Sequence, residues 1–221
     1  MHIEITPARI NLPIIGPVNA GVLVTTGVTL LLLLLCVFIS WYVKHKFREV
    51  PKFFQSALEM GVGGIRKYCV SQAGHVGEEL APYILALALF IFSNCFVEYF
   101  GFKPPSGDLS FTFTLGLLTF LLVNFMGIKH RKLSGRLHHY IEPTPIVAPF
   151  KLISDIAMPV SLACRLFGNI LAGIIVMELI YSVVPVFVPA ALSLYFTLFH
   201  ALIQSYVFIT LTLSFVKEAC E

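Results

Sequence analysis

"IAMPVSLACRLFGNILAGIIVMELIYSVV", residues 156–184, decides the fold. As a helix rising ~1.5 Å per residue, a run of about 30 residues is ~45 Å long, against a bilayer hydrocarbon core of ~30 Å. A second run of the same kind, 188–216, follows after "PVFVP" (185–189). Two such helices fit the membrane only at a tilt near or beyond the upper end of the usual range of about 0 to 40°. The pair is therefore expected to form a steeply slanted hairpin, shaped to lie against something curved or bulky. Arg165 stands in the first of these runs with no acidic residue within two turns. An arginine there costs about 2.5 to 3.5 kcal/mol on insertion scales, and such residues mark ion paths or partner carboxylates.

The rest of the chain agrees with a membrane setting. Of 221 residues, 57% are hydrophobic and 12% charged, where soluble domains carry about 25% charged residues. Further apolar runs at 22–43, 81–100 and 111–128 bring the expected crossings to five. None alternates, which excludes a transmembrane barrel. The first run follows a long, Pro-containing and barely basic tail with no small-residue cleavage motif after it, so it is expected to remain in the mature protein rather than act as a signal peptide.

A formal charge of +3 is too small to imply nucleic acid, and the basic residues read as topology signals. Lys44, Lys46, Arg48, Lys52, Arg66 and Lys67 follow the first run, and Lys129, Arg131, Lys132 and Arg136 follow the third. By the positive-inside rule the amino terminus lies outside and both basic loops and the carboxyl terminus lie in the cytoplasm.

The expected organisation is a single all-α polytopic membrane domain. It comprises an external tail over 1–21, a first span and cytoplasmic surface helix over 22–80, and a helical hairpin over 81–128. A cytoplasmic loop over 129–155 leads to the tilted hairpin and carboxyl-terminal tail over 156–221. The surface helix is read from "VPKFFQSALEMGVGGIRKYCV", which carries apolar residues at helical spacing with basic residues at both ends. Gly61, Gly63 and Gly64 within it do not fit a phosphate-binding loop.

Cys36, Cys69, Cys95, Cys164 and Cys220 are odd in number and form no C-x-x-C pair, so they signal neither a disulfide framework nor a thiolate metal site. His138, His139 and Glu142 fit a soluble basic loop, and no second ligand set accompanies them.

"PVSLACRLFGN" (159–169), "GFKPPSGDLS" (101–110), "EPTPIVAPFKLISD" (142–155) and "LIQSYVFITLTLSF" (202–215) together resemble subunit a of the F-type ATP synthase, in order from about residue 80 to the end. The resemblance implies a multi-pass, non-catalytic subunit of the cell membrane without a cofactor or metal. It implies a stator beside a rotating ring of subunit c, with the peripheral-stalk subunit b, the other synthase subunits and membrane lipid as partners. Ring carboxylates load and release protons through two offset half-channels in that family. Arg165 matches the arginine that faces each arriving carboxylate, Asn169 the asparagine one turn outward, and Gln204 the glutamine opposite the arginine on the last helix.

The residues support those roles on their own terms. A guanidinium stays protonated at any relevant pH, so it acts as a fixed positive barrier rather than a proton relay. Beside an ionised carboxylate in a low-dielectric site it lowers that carboxylate's pKa and favours proton release. The nearest acids on the same helix, Asp155 and Glu178, lie ~15 Å and ~20 Å away along the axis, so the counter-charge is expected on another subunit.

The sequence departs from the family pattern in two places. Ile174 stands where the family commonly has an acid, and Glu178, one turn further out on the same face, is the candidate substitute. His200, one turn before Gln204, is a second candidate relay on the facing helix. Met158 replaces a frequent lysine, which leaves Asp155 as the acid nearest the inner exit. Glu98 is a candidate for the outer entrance, and Asn94 and Asn124 are expected to make interhelical hydrogen bonds.

Two other classes fit less well. A secondary transporter using Arg165 to bind an anionic substrate predicts repeated halves or paired broken helices, and the sequence has no internal repeat. An intramembrane enzyme requires a nucleophile with a base, and Ser161 beside one arginine offers none.

Overall fold

The computed structural model describes residues 9–12, 16–46, 53–100, 105–141, 148–183 and 187–220. A short antiparallel hairpin, β1 (Arg9–Leu12) and β2 (Gly16–Asn19), pairs Arg9 with Asn19 and leads directly into the helices. These are α1 (Ala20–Lys46), α2 (Phe53–Phe96), α3 (Leu109–Ile141), α4 (Ala148–Val183) and α5 (Phe187–Cys220), with 3-10 turns at Val97–Phe100 and Pro105–Gly107. Five helices are long and apolar enough to cross a membrane, as the hydropathy predicts.

Within α2 the segment expected as a surface helix and the one expected as the second span meet at a corner. Ala73 and Gly74 leave helical geometry there, and Gly74 takes φ 57°, a conformation that favours glycine. Three residues on, a Cβ at position 77 would lie 2.1 Å from the Cys69 carbonyl oxygen, so only glycine lets the two halves close. Arg66 then pairs with Glu78 across the bend, and Lys129 of α3 reaches Glu79 at 2.6 Å with His130 at 3.7 Å. These pairs are exposed and contribute little energy, but they show that the basic ends of the surface helix and of α3 meet at one end of the bundle.

One expectation is corrected here. The stretch 129–141 is the continuation of α3 rather than part of a loop, so the connection to α4 shortens to 142–147. Lys, Arg and Leu are good helix formers, and a helix leaving the membrane keeps its backbone bonds while its polar side chains enter water. Hydropathy alone does not register such an extension. His138 and His139 lie on that helix with side chains outside the described set, and Glu142 lies outside the described residues altogether. Pro149 follows the first residue of α4, where a missing N–H costs no helical bond.

Packing follows α2 against α5 and α3 against α4, with α4 and α5 meeting over a smaller surface. The core holds Ile84, Leu87 and Ile91 of α2, Val123 and Met126 of α3, Leu162, Leu166 and Ile170 of α4, and Phe208, Leu213 and Val216 of α5. Lipid solvates such side chains as well as protein does, so close van der Waals contact rather than water exclusion holds the helices together. Gly116 permits one such approach: a Cβ there would lie 2.6 Å from the Pro159 carbonyl oxygen. Thr112, Thr119 and Thr212 are fully buried and return their hydroxyls to carbonyls of their own helices, which removes the cost of burying them.

Candidate functional site

α4 divides into two faces. Leu162, Leu166 and Ile170 are buried at helical spacing, while Ser161, Cys164, Arg165, Gly168 and Asn169 are exposed on the other side. Arg165 therefore projects from the surface of the chain. Among the described residues no ion pair engages it.

One turn further along α4, the Asn169 side-chain amide donates a 2.7 Å hydrogen bond to Oε1 of Gln204 on α5. Gln204 is 1% exposed, which makes that bond part of the satisfaction of a buried amide. The bond fixes the antiparallel register of the two helices at the level of Asn169 and Gln204. Met158 is buried in the core.

The outer relay candidates separate along the axis. Glu178 lies nine residues after Asn169 on α4 and His200 four residues before Gln204 on the antiparallel α5, which places them ~7 Å apart along the axis at ~1.5 Å per residue. Both are half-buried, and Nε2 of His200 is buried without a hydrogen-bond partner among the described residues. Glu98 falls in the 3-10 turn Val97–Phe100 and Asp155 in α4, with the side chains of both outside the described set.

Asn94 corrects its expectation. Its amide nitrogen donates to the Phe90 carbonyl of its own helix at 2.8 Å, and its Oδ1 is buried without a partner among the described residues. The Asn124 amide likewise donates to Phe120 within α3 at 2.8 Å. Sequence reasoning passed over Tyr83, whose hydroxyl is also buried without a partner among the described residues. It sits eleven residues before Asn94, about three turns away on the same face of α2, and that spacing is the signal that finds it. Among the described residues no group of three His, Cys, Asp or Glu side chains is placed to hold a metal.

An exposed arginine in an apolar helix, bridged one turn away to a buried glutamine of the next helix, sits in a chain whose residues 23–217 match the family described as ATP synthase A chain. The chain belongs to the ATP synthase A chain family. Among its relatives, ATP synthase subunit a 1 of Crocosphaera subtropica is 37% identical over 191 residues, 85% of this chain and 83% of that one. ATP synthase subunit a 2 of a Picosynechococcus species is 35% identical over 200 residues, 89% and 84% of the two chains. ATP synthase subunit a of Moorella thermoacetica is 30% identical over 208 residues, 92% and 93%. As a member of the ATP synthase A chain family the protein is a non-catalytic membrane subunit of a larger assembly.

Proposed function

We propose that this chain is the stator subunit that passes protons between two half-channels and the carboxylates of a c-ring, coupling their flow to ring rotation and so to ATP synthesis or hydrolysis. The observation that carries the reading is Arg165, exposed on α4, paired with no acid among the described residues and one turn from the Asn169–Gln204 bridge. A cation so placed within the membrane calls for a carboxylate supplied by another subunit.

For inward flow, a protonated ring carboxyl reaches the inner side of Arg165 and gives up its proton. The carboxylate that results pairs with the guanidinium, whose charge offsets its desolvation. It then takes a proton from the outer path and moves on. Because guanidinium does not deprotonate, no proton passes directly from one path to the other through it.

The distribution of polar groups supports unequal paths. Outward of the arginine, His200, Gln204 and Asn94 place polar atoms inside the bundle, and Glu178 and Glu98 extend the route toward the outer side. Inward, the buried hydroxyls of Ser205 and Thr212 are spent on carbonyls of α5 itself and Phe208, Leu213, Val216 and Leu162 are apolar, so the inner path follows the exposed face of α4 past Cys164 and Ser161 toward Asp155.

The meeting of basic helix ends at the corner supports a cytoplasmic inner face, an external amino terminus and a cytoplasmic carboxyl terminus in a cell membrane. Lipid and the peripheral-stalk subunit b share the length of α1, whose most apolar window is entirely unburied in this chain.

The test is ATP-driven and passive proton flux in membrane vesicles carrying the whole assembly. Arg165→Ala is expected to abolish pumping with the complex intact; pumping at the wild-type rate would overturn the reading.

A further inference from the structure

On a different flank of α5 from the one that meets Asn169, the surface half of α2 makes a polar contact. The Thr210 hydroxyl donates to the Tyr206 carbonyl at 2.7 Å, and the Tyr68 hydroxyl lies 2.7 Å from Thr210 Oγ1. Since the Thr210 proton is committed to Tyr206, Tyr68 is the donor in the second bond. The Tyr68 and Tyr206 rings also meet, their centroids 5.7 Å apart. The bonds run in series from the surface helix to the backbone of α5.

Thr210 is six residues inward of Gln204, ~9 Å along α5 and ~120° around it. The two contacts, Tyr68 to Thr210 and Asn169 to Gln204, thus hold different flanks of one helix. A roll of ~20° moves a side-chain tip about 2 Å at the rim of a helix ~10–12 Å wide, enough to break a 2.7 Å hydrogen bond. Close packing of Phe208, Leu213 and Val216 and the two directional bonds together resist such a roll. The surface half of α2 is itself held by the tight Gly74–Gly77 corner, where Gly77 packs against the Cys69 carbonyl.

We infer that Tyr68 is a positioning residue for proton transfer: its bond to Thr210 sets the roll of α5 and so holds Gln204 against Asn169. This rests on the role proposed above for the Arg165 region, and it adds to that role a residue of the surface helix that touches neither Arg165 nor the proton path.

The experiment uses the complete synthase in membrane vesicles, with ATP-driven pumping expressed per assembled complex and as a ratio to ATP hydrolysis. Tyr68→Phe keeps the ring and loses the donor; Thr210→Val keeps the shape and loses the acceptor; Thr210→Ser keeps the hydroxyl. Tyr68→Phe and Thr210→Val are each expected to lower pumping about three- to tenfold, the span of one net hydrogen bond. Their combination falls no further than the worse single change, and Thr210→Ser stays at the wild-type level. Wild-type pumping per complex in Tyr68→Phe or Thr210→Val overturns the inference, as does a loss confined to the amount of complex assembled or a double variant in which the two losses multiply. Arg165→Ala in the same vesicles separates the two ideas. If it pumps, the reading of the site fails; if it is silent while Tyr68→Phe pumps normally, only the positioning role fails.

Discussion

Asn169 on α4 and Gln204 on α5 are joined by a 2.7 Å hydrogen bond, and Gln204 has only 1% of its surface exposed. The bond ties the helix that carries Arg165 to its sequence neighbour at the level of one turn outward, where α4 and α5 otherwise share a limited surface.

Removing either end of that bridge leaves the other amide poorly satisfied. Asn169→Leu and Gln204→Leu are each expected to slow pumping by about three- to tenfold, the scale of one hydrogen bond. The double variant should be less impaired than the product of the two losses, because the residues act through one contact. Independent, multiplying losses in a double-mutant cycle would refute a shared role.

Arg165→Lys is expected to fail in a pH-dependent way. A lysine ammonium can give up its proton as pH rises, which a guanidinium does not. The residual barrier between the paths should therefore be best at low pH, and passive proton leak should grow with pH. Leak measured across a pH series in vesicles checks this, and a pH-independent leak contradicts it.

Glu178→Gln and His200→Ala sit ~7 Å apart in height, near the limit at which sites become independent. Their effects on proton uptake from the outer side should multiply, giving a several-fold slowing when combined. An unchanged uptake rate in the double variant assigns both residues to packing.

Gly77→Ala pushes a methyl to 2.1 Å from the Cys69 carbonyl oxygen, whereas Gly64→Ala enters open space. Overpacking of this kind costs about 1 to 3 kcal/mol, so the yield of extracted, assembled complex should fall sharply for the first and hold or rise for the second. Equal yields would show that the corner relaxes freely.

Asn94→Leu replaces an amide whose oxygen is buried without a partner among the described residues. Losing an unsatisfied polar atom is neutral or favourable to the fold, by up to about 1 to 2 kcal/mol. Thermal stability of the complex should hold or rise while outer-side proton uptake slows, and a drop in stability would show that the oxygen is satisfied.

Much of this protein was legible in its sequence because the deciding properties are local. Length and unbroken apolarity determined five crossings, since a chain in lipid must satisfy its backbone within each helix. A charge inside such a run marked Arg165 without reference to any neighbour, and the motifs around it pointed to the family. Tertiary structure decided what depends on how helices meet. It put Gln204 level with Asn169, turned Asn94 back onto its own helix, spread Glu178 and His200 along the axis and joined Tyr68 to Thr210. Register and roll are set by packing among residues distant in sequence, such as Gly116 against Pro159, and no periodicity along one helix encodes them. The helical continuation of α3 through 129–141 stayed hidden for a related reason. Water accepts a polar helix and a polar loop alike, so only the backbone bonds of the folded chain tell them apart.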